Sequence, residues 1–163
     1  MNDGGVSPSV GEVAPGFAAP DVHGATVSLA GLRGQPVLLV FVPFAFTPIC
    51  TDEAADLQRA WPRWRQQGVR VLMVCCDAVP TLRRWVEEHG VDFDVLSDFW
   101  PHGQVARAYD AFSERDGAAD RVSVLIDAEG LLRWRTSAPR GKARPVADYE
   151  AAITAVVRPG RTR

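Results

Sequence analysis

Hydrophobic and polar positions along the chain follow two periods, one typical of strands and one typical of helices. Residues 36–42 and 69–75 are almost continuously apolar, which predicts two strands buried on both faces of a sheet. Residues 50–66 instead carry apolar side chains three and four positions apart, which predicts a helix between these strands. Acidic residues near its start and Gly68 after its end fit the polarity and the termination of a helix.

The rest of the chain continues this alternation. The pattern predicts extended segments at 17–19, 26–29 and 93–96, helices at 81–89, 102–109 and 147–157, and a hairpin of strands at 121–126 and 131–136. Thr81 is predicted as the N-cap of its helix and Gly90 as the residue that ends it. The order βαβα followed by a hairpin and a helix predicts an α/β protein with a thioredoxin-like fold, a mixed central sheet flanked by helices. The two early extended segments would form an N-terminal β extension.

Length and composition predict a single domain that spans residues 1–163, because 47% of the residues are hydrophobic and 23% are charged. We expect residues 1–10 and 158–163 to be flexible.

The net charge of −2 favours neither a nucleic-acid nor an anionic-membrane partner. No apolar run approaches the roughly 18 residues of a membrane span. The first residues lack the basic and apolar regions of a secretory signal, so we expect a cytoplasmic location.

Three cysteines, Cys50, Cys75 and Cys76, carry the candidate chemistry. In a reducing compartment an unusual cysteine is more often catalytic or metal-binding than part of a structural disulfide. The odd count leaves at least one thiol unpaired. The sequence has no CxxC motif and no Cys/His cluster with zinc spacing, so we expect neither a metal site nor a cofactor. The lack of CxxC also argues against a disulfide reductase.

The surroundings of Cys50 favour a reactive thiolate. Cys50 lies at the start of the predicted helix, where free N–H groups and the helix dipole stabilise negative charge. Thr47 precedes it by three residues, and its hydroxyl can donate to the thiolate or to a peroxide oxygen and accept from the other group. Pro43 and Pro48 restrict the backbone of the loop between strand and helix. The alternative is that Cys50 is a small buried apolar residue.

The spacing Pro-x-x-x-Thr-x-x-Cys of Pro43, Thr47 and Cys50 matches the active-site signature of the peroxiredoxins. The chain resembles this family, the AhpC/TSA superfamily, from about residue 10 to residue 157, although Gly16 replaces an acidic residue usual in the family's opening. Residues 96–103 are similar to the alkyl hydroperoxide reductase E branch, one-cysteine enzymes typical of actinobacteria. The resemblance implies a thiol-dependent peroxidase that reduces hydrogen peroxide, organic hydroperoxides or peroxynitrite through a sulfenic acid on Cys50.

The resemblance also implies roles for residues outside the signature. Arg121 matches the family's arginine that faces the cysteine and donates to the peroxide, and Glu53 matches the residue that fixes this arginine. Phe44, Phe46 and Trp100 are expected on the rim of the substrate pocket. The alternative for these aromatic residues is packing, including packing in a dimer interface. Because the family usually forms homodimers, a homodimer is expected from the resemblance.

The identity of the thiol that returns oxidised Cys50 to its reduced form is an open question. Cys75 and Cys76 end the second core strand, where neighbouring side chains point to opposite faces. Both are expected as buried small residues, and the alternative is that one of them forms a disulfide with Cys50. The preferred reductant is external, either mycothiol with a mycoredoxin or thioredoxin. A peroxide sensor, or a redox protein recruited to a biosynthetic pathway, would need the same reactive cysteine.

Overall fold

The computed structural model describes residues 7–157. The expected flexibility of residues 1–6 and 158–163 concerns positions outside these described residues. Nearer the core, the Glu12 N–H donates to the Ser9 carbonyl, and the Gly11 N–H donates to the Leu132 carbonyl at 2.7 Å. The chain therefore joins the fold through a turn at residues 9–12.

Thirteen strands and helices follow in chain order: β1 (Ala18–Pro20), β2 (Thr26–Ser28), β3 (Val37–Val42), α1 (Pro48–Gln66), β4 (Arg70–Cys75), α2 (Val79–His89), β5 (Asp94–Ser97), α3 (Gln104–Ala108), β6 (Phe112–Ser113), β7 (Ala118–Ala119), β8 (Arg121–Ile126), β9 (Leu132–Ala138) and α4 (Val146–Val157). A short 3₁₀ turn at Ala30–Leu32 leads into β3. Every predicted segment is present within a few residues of its expected bounds. The short hairpin of β6 and β7 was not predicted, because two-residue strands are too short to show a period.

The central sheet has five strands in the order β5-β4-β3-β8-β9. Strands β3, β4 and β5 are parallel, whereas β8 is antiparallel to β3 and β9 is antiparallel to β8. The predicted mixed sheet is therefore confirmed. Since β8 runs against β3, its first residue lies at the same edge of the sheet as the carboxyl ends of the parallel strands.

Two hydrophobic clusters cover the two faces of the sheet. Helices α1, α2 and α4 pack on one face, where α1 contributes Leu57 and Trp64. Helix α3 and the N-terminal extension pack on the other face. The alternate residues of β3 divide between the clusters, with Leu38 in the first and Leu39 in the second. Burial on both faces explains why β3 is apolar at every position.

Two helix starts differ from the sequence prediction. Helix α1 begins at Pro48, two residues before Cys50, and Thr47 is at its N-cap. Proline suits the first helical position, because its missing N–H would have no intrahelical partner there. The same preference of proline explains why α2 begins at Val79 rather than at residue 81. Pro80 lies in its first turn, and Ala78 is at the N-cap. The predicted N-cap Thr81 is wrong, whereas Gly90 ends α2 in the left-handed conformation as expected.

Among residues 7–157, no helix combines the length and the apolar character that crossing a membrane requires.

Substitution of Gly103 by alanine should destabilise the fold more than the same change at Gly24. Both glycines have a positive φ, +70° and +83°, so each alanine variant carries left-handed backbone strain of about 1–2 kcal/mol. A Cβ at Gly103 would also overlap the ring of Phe112, whereas a Cβ at Gly24 meets nothing within 4 Å. Overpacking adds about 1–3 kcal/mol at Gly103. Urea unfolding of both variants measures the difference, and equal losses would contradict it.

Candidate active site

Cys50 lies in the first turn of α1, just beyond the loop of residues 43–47 that follows β3. None of its surface is exposed. Its Sγ accepts a hydrogen bond from Nη2 of Arg121 at 3.5 Å. A thiol is a weak acceptor, so a fixed guanidinium at this sulfur is better suited to a thiolate.

Arg121 is buried and is held at three points. As the first residue of β8, it lies at the edge of the sheet where β3 ends. Its Nε donates to the Arg140 carbonyl at 2.7 Å, its Nη1 donates to Oε1 of Glu53 at 2.7 Å, and its Nη2 donates to Cys50. The structure therefore brings together three of the candidate site residues, Cys50, Arg121 and Glu53. The guanidinium has a single orientation, with one nitrogen aimed at the sulfur.

Arg144 completes the site and was not found from the sequence. Its Nε and Nη2 donate to Oε2 of Glu53 at 3.0 and 2.6 Å. Its Nη1 donates to the Val122 carbonyl and to Oγ of Ser123. Arg144 lies in a basic loop before α4, 91 residues from Glu53, and no local pattern distinguishes it from the exposed arginines nearby.

A buried carboxylate between two buried arginines is the electrostatic centre of the site. Glu53, Arg121 and Arg144 are each 3% exposed. Charges withdrawn from water to this degree need partners, because their desolvation is costly. Glu53 balances only one of the two guanidinium charges. A thiolate on Cys50 would balance the other, so the cluster is electrostatically complete with a negative sulfur.

Thr47 makes a different hydrogen bond from the one expected. Its Oγ1 donates to the Phe44 carbonyl at 2.9 Å and makes no capping bond to α1. The carbonyl three residues earlier competes successfully for the hydroxyl proton, as is common for threonine in turns. The lone pairs of Oγ1 stay available, so in this geometry the hydroxyl can accept a hydrogen bond, the second of its two expected capacities.

The loop of residues 43–47 is strained. Phe46 has φ of +61°, a left-handed conformation that non-glycine residues rarely adopt. Such residues cost about 1–3 kcal/mol and persist only where neighbouring contacts hold them. Pro43 is buried at the start of this loop, with its carbonyl 3.8 Å from Sγ of Cys75.

The predicted rim residues lie on the surface at this end of the sheet. Phe44 and Phe46 are exposed in the loop before α1, and Trp100 follows β5 with 83% of its surface exposed, next to exposed Phe99. Exposed apolar groups of this size mark sites that bind a ligand or a partner. Their arrangement fits either of the two alternatives, a substrate rim or an interface.

Cys75 and Cys76 lie on opposite faces of the sheet. Cys75 belongs to the same hydrophobic cluster as Cys50, whereas Cys76 packs in the other cluster. Burial, with the nearby Asp77 charge, raises the pKa of the Cys75 thiol well above its usual range. Burial, with the nearby Asp98 charge, raises the pKa of Cys76 to about 11. Both side chains are therefore thiols at neutral pH, and neither is a ready nucleophile.

Within residues 7–157, no group of three or more histidine, cysteine, aspartate or glutamate side chains is placed to hold a metal ion. A surface cavity of about 660 Å³ is lined by Pro36, Gln67 and Asp127 among others. Pro36 precedes the first residue of β3, so this cavity lies at the opposite end of the strand from Cys50.

Loss of Arg144 should destabilise the protein much more than loss of an exposed arginine. Arg144→Ala leaves Glu53 buried with one partner instead of two and should lower the free energy of unfolding by about 3 kcal/mol, near the low end for a broken buried pair. Arg63→Ala is the matched control, since Arg63 also pairs with a glutamate, Glu150, but at the surface. It should cost at most about 1 kcal/mol. Urea denaturation compares them, and similar losses would contradict the buried network.

Comparison with known proteins places this chain in a family. The sequence profile of the AhpC/TSA family matches residues 10–135. Alkyl hydroperoxide reductase E of Mycobacterium tuberculosis is 38% identical over 151 residues, covering 90% of this chain and 99% of that protein. Peroxiredoxin Bcp of Escherichia coli is 36% identical over 129 residues, covering 75% of this chain and 81% of that protein.

The fold also resembles solved structures. The crystal structure of Enterococcus faecalis AhpC matches with a TM-score of 0.84, covering 91% of this chain and 92% of that chain at 22% identity. At this identity the likeness concerns the fold alone, and it confirms the predicted thioredoxin-like architecture. The profile and the two sequence relatives carry the assignment further: the chain belongs to the AhpC/TSA family, the peroxiredoxins, and is a thiol-dependent peroxidase.

Proposed function

We propose that Cys50 is the residue that reduces the hydroperoxide. The observation that carries this proposal is the contact of 3.5 Å between its Sγ and Nη2 of Arg121, inside the buried network of Glu53 and Arg144. Among the described residues no arginine hydrogen-bonds to the sulfur of Cys75 or Cys76, and burial with neighbouring carboxylates raises the pKa of both thiols. Of the three cysteines, Cys50 therefore has the surroundings that favour a thiolate.

In the proposed reaction the Cys50 thiolate attacks the terminal oxygen of the hydroperoxide in line with the O–O bond. The S–O bond forms as the O–O bond breaks, and the leaving oxygen takes up a proton to become an alcohol or water. Cys50 is oxidised to a sulfenic acid while the peroxide is reduced by two electrons. Arg121 donates to the oxygens as charge moves between them. The free N–H of Cys50, in the first turn of α1, is a second donor.

Thr47 completes the proposed transition state as an acceptor. Because its hydroxyl proton is engaged by the Phe44 carbonyl, Oγ1 offers lone pairs to the O–H of the entering hydroperoxide. This hydrogen bond would orient the terminal oxygen toward the sulfur, with Pro43 at the start of the same loop. Orientation of this kind contributes to the rate because the reactants start near the geometry of attack.

Organic hydroperoxides are the substrates that the surroundings favour. Phe44, Phe46 and Trp100 expose apolar surface at the edge of the sheet where Cys50 lies, which suits an alkyl group better than a second water. Hydrogen peroxide and peroxynitrite carry no alkyl group and would bind through the buried polar groups alone. Both stay among the proposed substrates. Exposed aromatic surface also suits the homodimer expected from the family resemblance.

We propose an external thiol as the reductant of oxidised Cys50. Neither Cys75 nor Cys76 is a thiolate at rest, and Cys76 packs on the opposite face of the sheet from Cys50. Mycothiol with a mycoredoxin, or thioredoxin, would supply the missing electrons. Such thiols are kept reduced in the cytoplasm, which is the proposed location.

Cys50→Ser should abolish consumption of cumene hydroperoxide in the presence of dithiothreitol, because a serine hydroxyl is not ionised at neutral pH. Cys76→Ser is the matched control, a buried cysteine on the other face of the sheet, and it should keep the wild-type rate. Loss of the peroxide is measured over time for both variants and for wild type. Undiminished turnover by Cys50→Ser would overturn the proposed role of Cys50.

One equivalent of peroxide should add the mass of one oxygen atom to the intact protein. This product is the sulfenic acid on Cys50, trapped with dimedone and located by peptide mass spectrometry under non-reducing conditions. Loss of two hydrogens instead would mean an internal disulfide, and a peptide link to residue 75 or 76 would contradict the external reductant.

A further inference from the structure

One carboxylate outside the arginine network contacts the loop that carries Thr47. Oδ2 of Asp77 accepts a hydrogen bond from the N–H of Ala45 at 2.9 Å and a second from Sγ of Cys75 at 2.8 Å. Ala45 lies in the middle of the loop of residues 43–47, between Pro43 and the strained Phe46. We call this carboxylate with its two donors the loop anchor.

The loop anchor is itself fixed to the sheet. Cys75 is the last residue of β4 and pairs with Val42 of β3 on one side and with Ser97 of β5 on the other. Oγ of Ser97 donates to the carbonyl of Asp77 at 2.6 Å. The carboxyl ends of three adjacent parallel strands are thus tied together at Asp77. Asp77 is therefore fixed relative to the sheet and can fix the loop of residues 43–47.

Cys75 suits the part of a donor in this anchor. It is 1% exposed, and burial with the Asp77 charge raises the pKa of its thiol well above the usual range. The thiol proton is therefore retained at neutral pH and is available to Asp77. The same chemistry makes Cys75 a poor nucleophile toward a sulfenic acid, so its placement near Cys50 is explained by hydrogen bonding rather than by disulfide formation.

The strain at Phe46 shows why the loop needs an anchor. With φ of +61° at Phe46, the loop would relax if its contacts were lost. Relaxation would move Thr47, the next residue, away from Cys50. Contacts that oppose this movement include the bond from Thr47 to the Phe44 carbonyl and the bond from Ala45 to Asp77. The bond to Asp77, with the longer contact of 3.8 Å between Sγ of Cys75 and the Pro43 carbonyl, ties the loop to the end of β4.

We propose that Asp77 is a positioning residue for peroxide reduction, whose carboxylate, supported by the thiol of Cys75, holds the loop so that Thr47 faces the substrate at Cys50. This inference rests on the proposed function of Cys50 and adds a residue that touches neither substrate nor sulfur. It also gives Cys75 a structural role as a hydrogen-bond donor.

The proposal predicts a loss that is specific to the peroxide. Asp77→Ala should lower the second-order rate constant for oxidation of Cys50 by cumene hydroperoxide by about 10- to 100-fold, as expected for a misplaced orienting group. Alkylation of Cys50 by iodoacetamide needs the thiolate and access to the buried sulfur but not Thr47, so it should not fall by more than about twofold. Tryptophan fluorescence in a stopped-flow instrument follows oxidation, and peptide mass spectrometry follows alkylation.

Conservative variants distinguish positioning from general damage. Asp77→Asn can present one oxygen to both donors and should restore most of the oxidation rate, and Cys75→Ser keeps a donor and should also stay near wild type. Asp127→Ala is the matched control at the opposite end of the sheet, where Oδ1 of Asp127 accepts from the N–H groups of Glu129 and Leu131. It should leave both reactions of Cys50 unchanged.

Three results would overturn the anchor: a wild-type oxidation rate in Asp77→Ala, an equal fall in oxidation and alkylation, or a disulfide between Cys75 and Cys50 in oxidised wild type. Failure of the anchor is distinct from failure of the proposed function. In the first case wild type still forms its sulfenic acid on Cys50, whereas in the second Cys50→Ser still consumes peroxide.

Discussion

The ion pair network around Glu53 is the interaction on which the site depends. Its carboxylate joins three separate parts of the chain, because Glu53 is in α1, Arg121 begins β8 and Arg144 lies in the loop before α4. Burying three charges is costly, and replacement by apolar residues would often be neutral for stability. The arrangement is better explained by what it does to Cys50, since it leaves one positive charge uncompensated beside the sulfur.

The sheet topology brings this network and the candidate site residues to one edge of the sheet. The parallel strands β3, β4 and β5 end at one edge, and the antiparallel β8 begins there, so that edge receives the loop with Thr47, the arginine of β8 and Asp77. Ligand sites of open α/β sheets lie beyond the carboxyl ends of parallel strands for this reason. Exposed aromatic residues lie at the same edge of the sheet as this buried polar centre.

The sequence was sufficient for the parts of the structure with a local signal. The apolar run of β3 and the helical spacing of α1 predict the central βα unit, and the two prolines before Cys50 predict the loop between them. Arg144 has no such signal, because its role depends on a contact across 91 residues with Glu53. The donor direction of Thr47 and the start of α2 depend on single hydrogen bonds and on Pro80, details that periodicity does not resolve.

Complete burial of Cys50 makes the rates of its reactions depend on local opening of the chain. A sulfur with no exposed surface meets solvent only when the surrounding chain moves, so a peroxide and a reductant both depend on such motion to reach it. If the sulfenic acid forms on Cys50 as proposed, closure shields it from stray thiols and from a second peroxide. The oxidised protein would then keep one oxidising equivalent until a thiol reaches the sulfur, and the rate of local opening around Cys50 would set how long that takes.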